Sequence, residues 1–246
     1  MTNSLDQRLI AASALGKTEE LKLLLGRGAE INANDSESTT ALHHAAVIGS
    51  AETISTLIAA GADIEFKDPI GETPLYKAAE WGTLQTVMAL IGHGADVNQS
   101  NFRGHTALHR AIDGSATAIA LALIQPGANV NAATDEGHTP LHYSVSLIGS
   151  DVMDALVMAG VDVNVRDHLH RSALHWAAFQ GGLNKISILM SAGADVNAMD
   201  KEGRTAIELA LLFNESDAVA LIQAHVAARA IEEVLQPLPG MRAMVQ

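Results

Sequence analysis

Cysteine is absent from the 246 residues of the chain. Disulfide bonds and thiolate zinc sites are therefore excluded, and nothing in the composition indicates an oxidising compartment. Aromatic residues are also scarce, because Phe, Trp and Tyr together make up 3% of the sequence. With so few large rings in the chain, the position of each one is informative.

Basic residues are outnumbered, because 15 Lys and Arg stand against 28 Asp and Glu, which gives a formal net charge of −13. A chain this acidic repels phosphate backbones, so we expect no nucleic-acid partner. No apolar run approaches the roughly 20 residues that span a bilayer, and no membrane insertion is expected. The first 15 residues have no basic segment before their apolar run, which argues against a signal peptide. We expect a cytoplasmic protein, and delivery to a host cell without a cleavable signal is compatible with this sequence.

A five-residue element of the type Gly-Ala-Asp-Val-Asn recurs every 33 residues, at 28–32, 61–65, 94–98, 127–131, 160–164 and 193–197. A second element, of the type Thr-Ala-Leu-His, keeps the same period, at 40–43, 73–76, 106–109, 139–142, 172–175 and 205–208. An Asp with a Gly three positions later precedes this second element, most clearly at Asp68 and Gly71. Motifs that share one period over most of the chain predict an array of repeats.

These motifs resemble those of the ankyrin repeat family, whose unit is a β-turn followed by two antiparallel helices. The resemblance covers about residues 5–230. It implies an all-α fold, a solenoid of helix-turn-helix units with short β-turn fingers. The residues agree with it, because a Thr suits the N-cap of the first helix. The Gly of each Gly-Ala-Asp element suits the end of the second helix, where a positive φ is needed.

The period divides the chain into an N-terminal capping repeat at 1–34, five repeats at 35–199 and a C-terminal capping repeat at 200–232. Gln7 and Val226 stand where the capping Thr and the next Gly are expected, and terminal repeats are commonly degenerate in this way. We expect the last helix to continue to Leu235, before Pro237 interrupts it. The segment 233–246 is predicted to be a tail.

Two inner repeats depart from the pattern. In the fourth, Gly114 comes one position early. In the fifth, Ser144 and Val145 replace the usual pair of small residues, and Ile148 occupies the position of the glycine between the helices. We expect altered helix packing at these points.

One pattern resembles a nucleotide site. Gly16-Lys17-Thr18 matches the end of a phosphate-binding loop. That site needs a strand before the loop, whereas the repeat frame predicts a helix there. A turn between two helices is therefore the favoured interpretation.

The eleven histidines suggest metal binding. Four of them share one repeat position: His43, His109, His142 and His175. Equivalent side chains about 10 Å apart cannot share a zinc ion, so we predict that these imidazoles tie adjacent repeats by hydrogen bonds. His168 and His170 are closer together, but a solvated turn is favoured over metal binding there. We predict no catalytic residue, no metal site and no cofactor.

The resemblance implies that a protein partner binds the concave surface, at the turns and at the two residues after the small pair of each first helix. The partner-binding candidates are Ile48, Ile70, Glu80, Trp81, Phe102, Arg103, Asp113, Asp135, Glu136, Leu147, Leu169 and Phe179. Large aromatics are common hot spots, so we interpret Trp81, Phe102 and Phe179 as anchors. The alternative is that these rings lie half-buried against their own neighbours. Trp176 falls on the packing side of its helix and is predicted to be core.

The middle of the chain is uniformly acidic. No Lys or Arg occurs from Ala111 to Val165, whereas the acidic residues there are Asp113, Asp135, Glu136, Asp151, Asp154 and Asp162. One interpretation is a solvated surface that maintains solubility. The other is a surface that attracts a basic segment of the partner. The sequence leaves both open.

Together these observations predict a monomeric, non-enzymatic module for protein–protein interaction that acts as a scaffold, adaptor or inhibitor. A structural or protective, chaperone-like repeat protein is the alternative. A nucleotide-binding protein or metal-dependent hydrolase is the least favoured class.

The repeat frame can be tested at a glycine. We expect Gly94→Val to lower the free energy of unfolding by more than about 1 kcal/mol, because a β-branched residue avoids the positive φ required there. Urea denaturation followed by circular dichroism would measure the loss. A neutral substitution would contradict the frame.

Overall fold

The computed structural model describes residues 4–125 and 127–235, without the side chains of 232–235. All regular secondary structure in these ranges is helical, which confirms the predicted all-α class. Strand-like pairing among the described residues is limited to two isolated bridges, Asn34 with Thr40 and Ser100 with Thr106. Of the predicted tail at 233–246, the residues 233–235 belong to the last helix, and 236–246, including Pro237, lie outside the described residues.

Fourteen helices occur in these ranges: α1 Ser4–Ala14, α2 Thr18–Gly26, α3 Ala41–Ile48, α4 Ala51–Ala59, α5 Pro74–Trp81, α6 Leu84–Gly92, α7 Ala107–Asp113, α8 Thr117–Leu123, α9 Pro140–Ser144, α10 Asp151–Met158, α11 Ala173–Phe179, α12 Leu183–Ser191, α13 Ala206–Leu212 and α14 Ser216–Leu235. No helix within the described part of the chain is both long enough and apolar enough to cross a bilayer.

The chain forms two compact units, Met1–Val161 and Asp162–Gln246. In the first unit the helices form five pairs. The first helices pack in series, α1 on α3, α3 on α5, α5 on α7 and α7 on α9, and the second helices α2, α4, α6, α8 and α10 do the same. In the second unit α11 packs on α13, and α12 packs on α14. Within each unit, helix pairs therefore stack with like helices adjacent.

Small residues let the first helices approach closely. Ala45, Ala46, Ala78 and Ala79 are buried in the first unit, with at most 2% of their surface exposed. Ala177 and Ala178 are fully buried in the second unit. Both helices of a repeat contribute larger core side chains, such as Leu75 of α5 and Leu90 of α6. Burial of one apolar stripe per helix is the main source of stability in such a stack.

The predicted helix boundaries are confirmed by the backbone. Thr106 precedes α7 in the extended conformation, and its hydroxyl oxygen accepts a hydrogen bond from the His109 N–H at 3.5 Å. The glycine after each complete second helix has a positive φ, as at Gly94 with +93°. Where the frame lacks Gly between the helices, Ser115 and Asn214 take the left-handed conformation instead, with φ of +57° and +61°.

One histidine per repeat ties its helix to the next repeat. The Nδ1 atom of His109 accepts from the Thr106 N–H at 3.2 Å and lies 2.9 Å from the Thr106 hydroxyl. Its Nε2 atom lies 3.2 Å from the carbonyl oxygen of His138. A carbonyl only accepts and a backbone N–H only donates, so His109 is neutral with its proton on Nε2.

The same tie recurs in both units. His43 Nε2 lies 3.1 Å from the Glu72 carbonyl oxygen in the first unit, and His175 Nε2 lies 3.3 Å from the Arg204 carbonyl oxygen in the second. The predicted role of these histidines in tying repeats together is confirmed for these three.

Each repeat after the N-terminal one begins with a five-residue turn, here called a finger: 35–39, 68–72, 101–105, 134–138, 167–171 and 200–204. The first side chain of each finger holds the turn from within. Asp68 Oδ1, for example, accepts hydrogen bonds from the N–H groups of Ile70 and Glu72 at 3.0 and 2.9 Å. Because the backbone N–H groups of the finger are bonded within the turn, the side chains at its tip are not needed to hold it and remain exposed to solvent.

The fifth repeat differs from its neighbours, as expected. Helix α9 ends at Ser144, whose hydroxyl donates to the Leu141 carbonyl at 2.8 Å and so competes with the helical hydrogen bonds. Ile148 does not adopt the positive φ that a glycine would supply, and its side chain is fully exposed. Leu147 turns inward instead and is buried.

The histidine tie predicts a pH dependence. Burial lowers the pKa of His109 to about 4, and it also lowers the pKa values of His43 and His175. Between pH 6.5 and 4 the unfolded chain binds a proton at His109 that the folded chain excludes, so stability falls as the pH falls through this range.

Urea unfolding at pH 7 and pH 5 measures this loss. We expect His109→Gln to lose about 2 kcal/mol less than the wild type between the two pH values. The exposed His93 provides the matched control, because His93→Gln should retain the wild-type difference. An equal loss in all three proteins would contradict the assignment.

Candidate functional site

The predicted aromatic candidate Phe102 lies on the finger of the preceding repeat. Its N–H donates to the Ile70 carbonyl oxygen at 3.1 Å, and its ring covers Gly71 so closely that a Cβ there would lie 2.8 Å from the ring. The outer side of the ring is open to water, because 67% of Phe102 is exposed. Ile70, next to it, is 57% exposed. The fold therefore fixes an apolar patch that it does not bury.

This patch borders a surface groove of about 460 Å³ in the first unit. The groove is lined by Pro69, Ile70, Glu72, Tyr76, Asn101, Phe102, Arg103, His105, His109, Arg110 and Asp113. Four predicted candidates, Ile70, Phe102, Arg103 and Asp113, are thus brought together. The lining combines apolar and polar groups on rigid elements, as binding sites for protein segments commonly do.

Arg110 organises the charged side of the groove. Its Nη2 atom lies 2.6 Å from Glu80 Oε1, and its Nη1 atom lies 2.6 Å from Asp113 Oδ2. Glu80 is largely buried in this pair, with 14% of its side chain exposed, whereas Asp113 is 52% exposed. Glu80 therefore positions Arg110, and Asp113 remains accessible to a partner.

Lys77 is also held by two carboxylates, beside the finger 68–72. Its ammonium group contacts the carboxylates of Asp68 and Glu72. Burial alone would raise the pKa of Asp68, but hydrogen bonds from the Glu72 N–H and from Lys77 lower it. The charges at the base of this finger are therefore already paired with one another.

Trp81 and Ile48 occupy equivalent positions at the ends of α5 and α3. Trp81 is 65% exposed and Ile48 is 52% exposed. Neither lines the groove. They extend the apolar surface of the first unit along its first helices, on the side that the sequence frame assigns to a partner.

Asp135 and Glu136 lie at the tip of the finger that follows Phe102. The Asp135 N–H donates to the Arg103 carbonyl oxygen at 3.0 Å, which joins the two fingers. Both carboxylates are exposed, and neither forms an ion pair with a described residue. A hydrogen bond from the Thr134 side chain lowers the pKa of Glu136. Both carboxylates face solvent.

Two candidates lie in the second unit. Leu169 is 44% exposed at a finger tip, and Phe179 is 45% exposed at the end of α11. Phe179 packs edge to face on Phe213, with the ring centroids 4.4 Å apart.

Leu147 requires a correction. It was expected on the exposed surface, but only 9% of it is accessible. The early end of α9 turns this side chain inward and places the neighbouring Ile148 outside. Leu147 therefore offers little surface to a partner.

Trp176 requires the opposite correction, because it is half-buried rather than core. Its indole Nε1–H donates to Asp167 Oδ2 at 3.3 Å, and the Arg171 guanidinium lies 4.9 Å from the ring centroid. The sequence frame also missed Arg110 and Tyr76. A usable signal was present, because the position after the repeat histidine carries His44, Lys77, Arg110, Tyr143 and Trp176. All five side chains have a polar group. Four of them contact a finger, whereas Arg110 pairs with Glu80 and Asp113.

The pattern that resembles a phosphate-binding loop has a different geometry. Helix α1, not a strand, precedes Gly16. The hydroxyl of Thr18 is buried and lies 2.9 Å from the Thr53 hydroxyl, so it faces the next repeat. Over the side chains of residues 4–125 and 127–231, no group of three or more His, Asp or Glu is arranged to hold a metal ion.

The family model described as "Ankyrin repeats (3 copies)" matches residues 9–101, 99–167 and 149–230. Among solved structures, the ankyrin repeat domain of Bcl-3, titled a unique member of the IkappaB protein family, is similar with a TM-score of 0.78 and 24% sequence identity. The match covers 87% of this chain and 97% of that one. The human ASB11 ankyrin repeat domain matches with a TM-score of 0.76 and 24% identity, over 88% and 96% of the two chains. These likenesses show the fold alone. No curated protein sequence matches significantly.

The contact between Phe102 and Gly71 can be tested by adding one methyl group at position 71. Gly71 and Gly203 are equivalent finger residues with φ of +83° and +75°, but only Gly71 has a neighbour where a Cβ would stand. Gly203→Ala should cost about 1 kcal/mol for its backbone conformation alone. Gly71→Ala should cost clearly more, because the close contact includes the Phe102 backbone. Urea unfolding compares the two variants, and equal losses would show that Phe102 does not rest on this glycine.

Proposed function

Since the chain belongs to the ankyrin repeat family, whose fold is a general module for protein–protein interaction, we propose that it is a non-enzymatic scaffold, adaptor or inhibitor. Its partner binds the finger face of the first unit, defined here as the solvent-exposed side of the fingers and of α3, α5 and α7. The repeat pattern predicts that this surface is concave.

One observation carries the proposal, which is the exposure of large aromatic rings in a chain that has few. Only eight Phe, Trp and Tyr residues occur in the sequence, yet Trp81 and Phe102 are 65% and 67% exposed on one unit. A monomer gains no stability from rings left in water. Phe102 is also immobilised on Gly71, so little side-chain entropy would be lost when a partner covers it.

The charges beside the groove favour a basic segment in the partner. Asp113, Asp135 and Glu136 are exposed there beside one exposed cation, Arg103, and the next cation of the sequence after Arg110 is Arg166. An apolar side chain that covers Phe102 would bring a flanking Lys or Arg close to these carboxylates. Such complementarity speeds association and adds specificity, and its effect weakens with salt.

Affinity capture from a lysate of the source organism tests the proposal. The bait is wild type, the double variant Trp81→Ala/Phe102→Ala, or Met88→Ala. Met88 is the matched control, because it is 51% exposed but lies on the second helix α6, away from the fingers. All three baits are first compared by circular dichroism.

We expect the captured partner to bind the double variant at least about tenfold more weakly, and Met88→Ala as tightly as wild type. Association should slow as the salt concentration rises. Equal binding by all three baits would contradict the assigned face. A rate of association independent of salt would contradict the basic segment alone.

A further inference from the structure

The third repeat lacks the histidine that ties its neighbours together. Tyr76 stands at the position that His43 and His109 occupy in the adjacent repeats. Like them it is buried, with 6% of the residue exposed. The histidines bond to a carbonyl oxygen of the next finger, whereas the Tyr76 hydroxyl forms no hydrogen bond with a described residue. Because Tyr76 lines the groove of the first unit, its unpaired hydroxyl faces that groove.

A second polar group in the wall of this groove has no partner. The Nδ1 atom of His105 is buried and has no hydrogen-bond partner among the described residues, while its Nε2 atom lies 3.0 Å from the Tyr143 hydroxyl. His105 lines the groove together with Tyr76. Buried polar side chains without a partner are rare in native proteins. Two of them at one groove indicate that a ligand belongs there.

Carboxylates outnumber cations around the groove, even when every ion pair is counted. In α5, α7 and the three fingers between residues 68 and 138, six carboxylates stand against three cations. Lys77 and Arg110 are each shared by two carboxylates, so each of these clusters retains one negative charge. Arg103 is the third cation, and the finger bonded to its own carries two exposed carboxylates. The groove therefore attracts a positively charged group.

The excess of negative charge also acts on the Tyr76 hydroxyl. Burial raises the pKa of this hydroxyl, and so do the carboxylates of Glu72, Glu80 and Asp113. The Arg110 guanidinium is the one nearby cation that acts against them. The hydroxyl is therefore a neutral phenol at physiological pH, and its oxygen can accept a hydrogen bond. A cationic hydrogen-bond donor fits this site.

We propose that the groove binds one arginine side chain of the partner's basic segment. Its guanidinium donates to the Tyr76 hydroxyl oxygen and pairs with Asp113, whose side chain is 52% exposed. Its apolar stem lies along Phe102 and Ile70. Arginine is favoured over lysine because a guanidinium has five N–H donors, is less strongly hydrated and packs on aromatic rings. The inference rests on the proposed function and makes Tyr76 a residue that determines specificity within it.

The two tyrosines of the chain give a direct signal for the test. In protein labelled with an isotope at tyrosine alone, the ring resonances come from Tyr76 and Tyr143, and the variant Tyr76→Phe identifies those of Tyr76. The probe is the peptide acetyl-Gly-Arg-Leu-Gly-amide. Three matched peptides replace Arg by citrulline, which is its uncharged analogue, by Lys or by Glu. Each peptide is titrated to millimolar concentration at low salt.

We expect a saturable shift of the Tyr76 resonances with the Arg peptide. Affinity should be about tenfold lower for the citrulline peptide and about threefold lower for the Lys peptide, and the Glu peptide should not saturate. Tyr76→Phe, followed through the backbone N–H resonance of Phe102, should bind the Arg peptide about tenfold more weakly than wild type. Its free energy of unfolding should equal that of wild type, because the hydroxyl bonds to no described residue. Tyr143→Phe is the matched control, since it removes a hydroxyl outside the lining and should bind as wild type does.

Equal binding of the Arg and citrulline peptides, equal or tighter binding of the Lys peptide, or saturation by the Glu peptide would overturn the proposal. Unchanged binding by Tyr76→Phe, or no saturable shift with any peptide, would do the same. The peptide series on the wild type decides the question even if a variant does not fold. Failure of the proposed function is distinguishable. A captured partner that is lost by Trp81→Ala/Phe102→Ala but bound fully by Tyr76→Phe would support the assigned face and overturn the arginine site.

Discussion

The hydrogen-bond pair formed by one histidine per repeat is the interaction on which both surfaces depend. The Nδ1 atom of the histidine bonds to the N-cap residue of its own helix, and its Nε2 atom bonds to a backbone carbonyl oxygen of the next repeat. That carbonyl belongs to Glu72, His138 or Arg204, which is the last residue of a finger in every case. The tie therefore sets the finger against the first helix. Because both nitrogens are satisfied, a neutral imidazole can be buried at little cost.

Once the finger is fixed, its tip is free to vary. Asp68, Asp167 and Asp200 satisfy the N–H groups of their own turns, so the two residues that follow each of them contribute little to folding. Apolar residues such as Ile70 and Phe102 at these positions lower solubility without filling a core, which is the reason to assign them to recognition. The two units use this freedom differently. Exposed carboxylates accompany the rings of the first unit, and arginines paired with buried carboxylates accompany those of the second.

The sequence predicts the helices and fingers well because caps and glycines act locally and repeat with one period. Exposure of Trp81, Phe102 and Phe179 also follows from the frame. The burial of Leu147 does not follow from the repeat pattern, because the direction of this side chain depends on how α9 ends when a β-branched residue replaces a glycine. Trp176 and Arg110 were missed for another reason. Their roles depend on rotamers and on partners such as Glu80, 30 residues away, which periodicity does not encode. Binding by any of these residues remains a prediction.

Site-specific photocrosslinking tests the central claim, that the exposed rings of the first unit contact a protein partner, most directly. A photoreactive phenylalanine analogue at position 102, with a second protein carrying it at position 88 on α6, would be irradiated with the partner present. The account predicts a covalent adduct with one partner protein from position 102, and none from position 88. An adduct formed equally from both positions, or from position 88 alone, would contradict it.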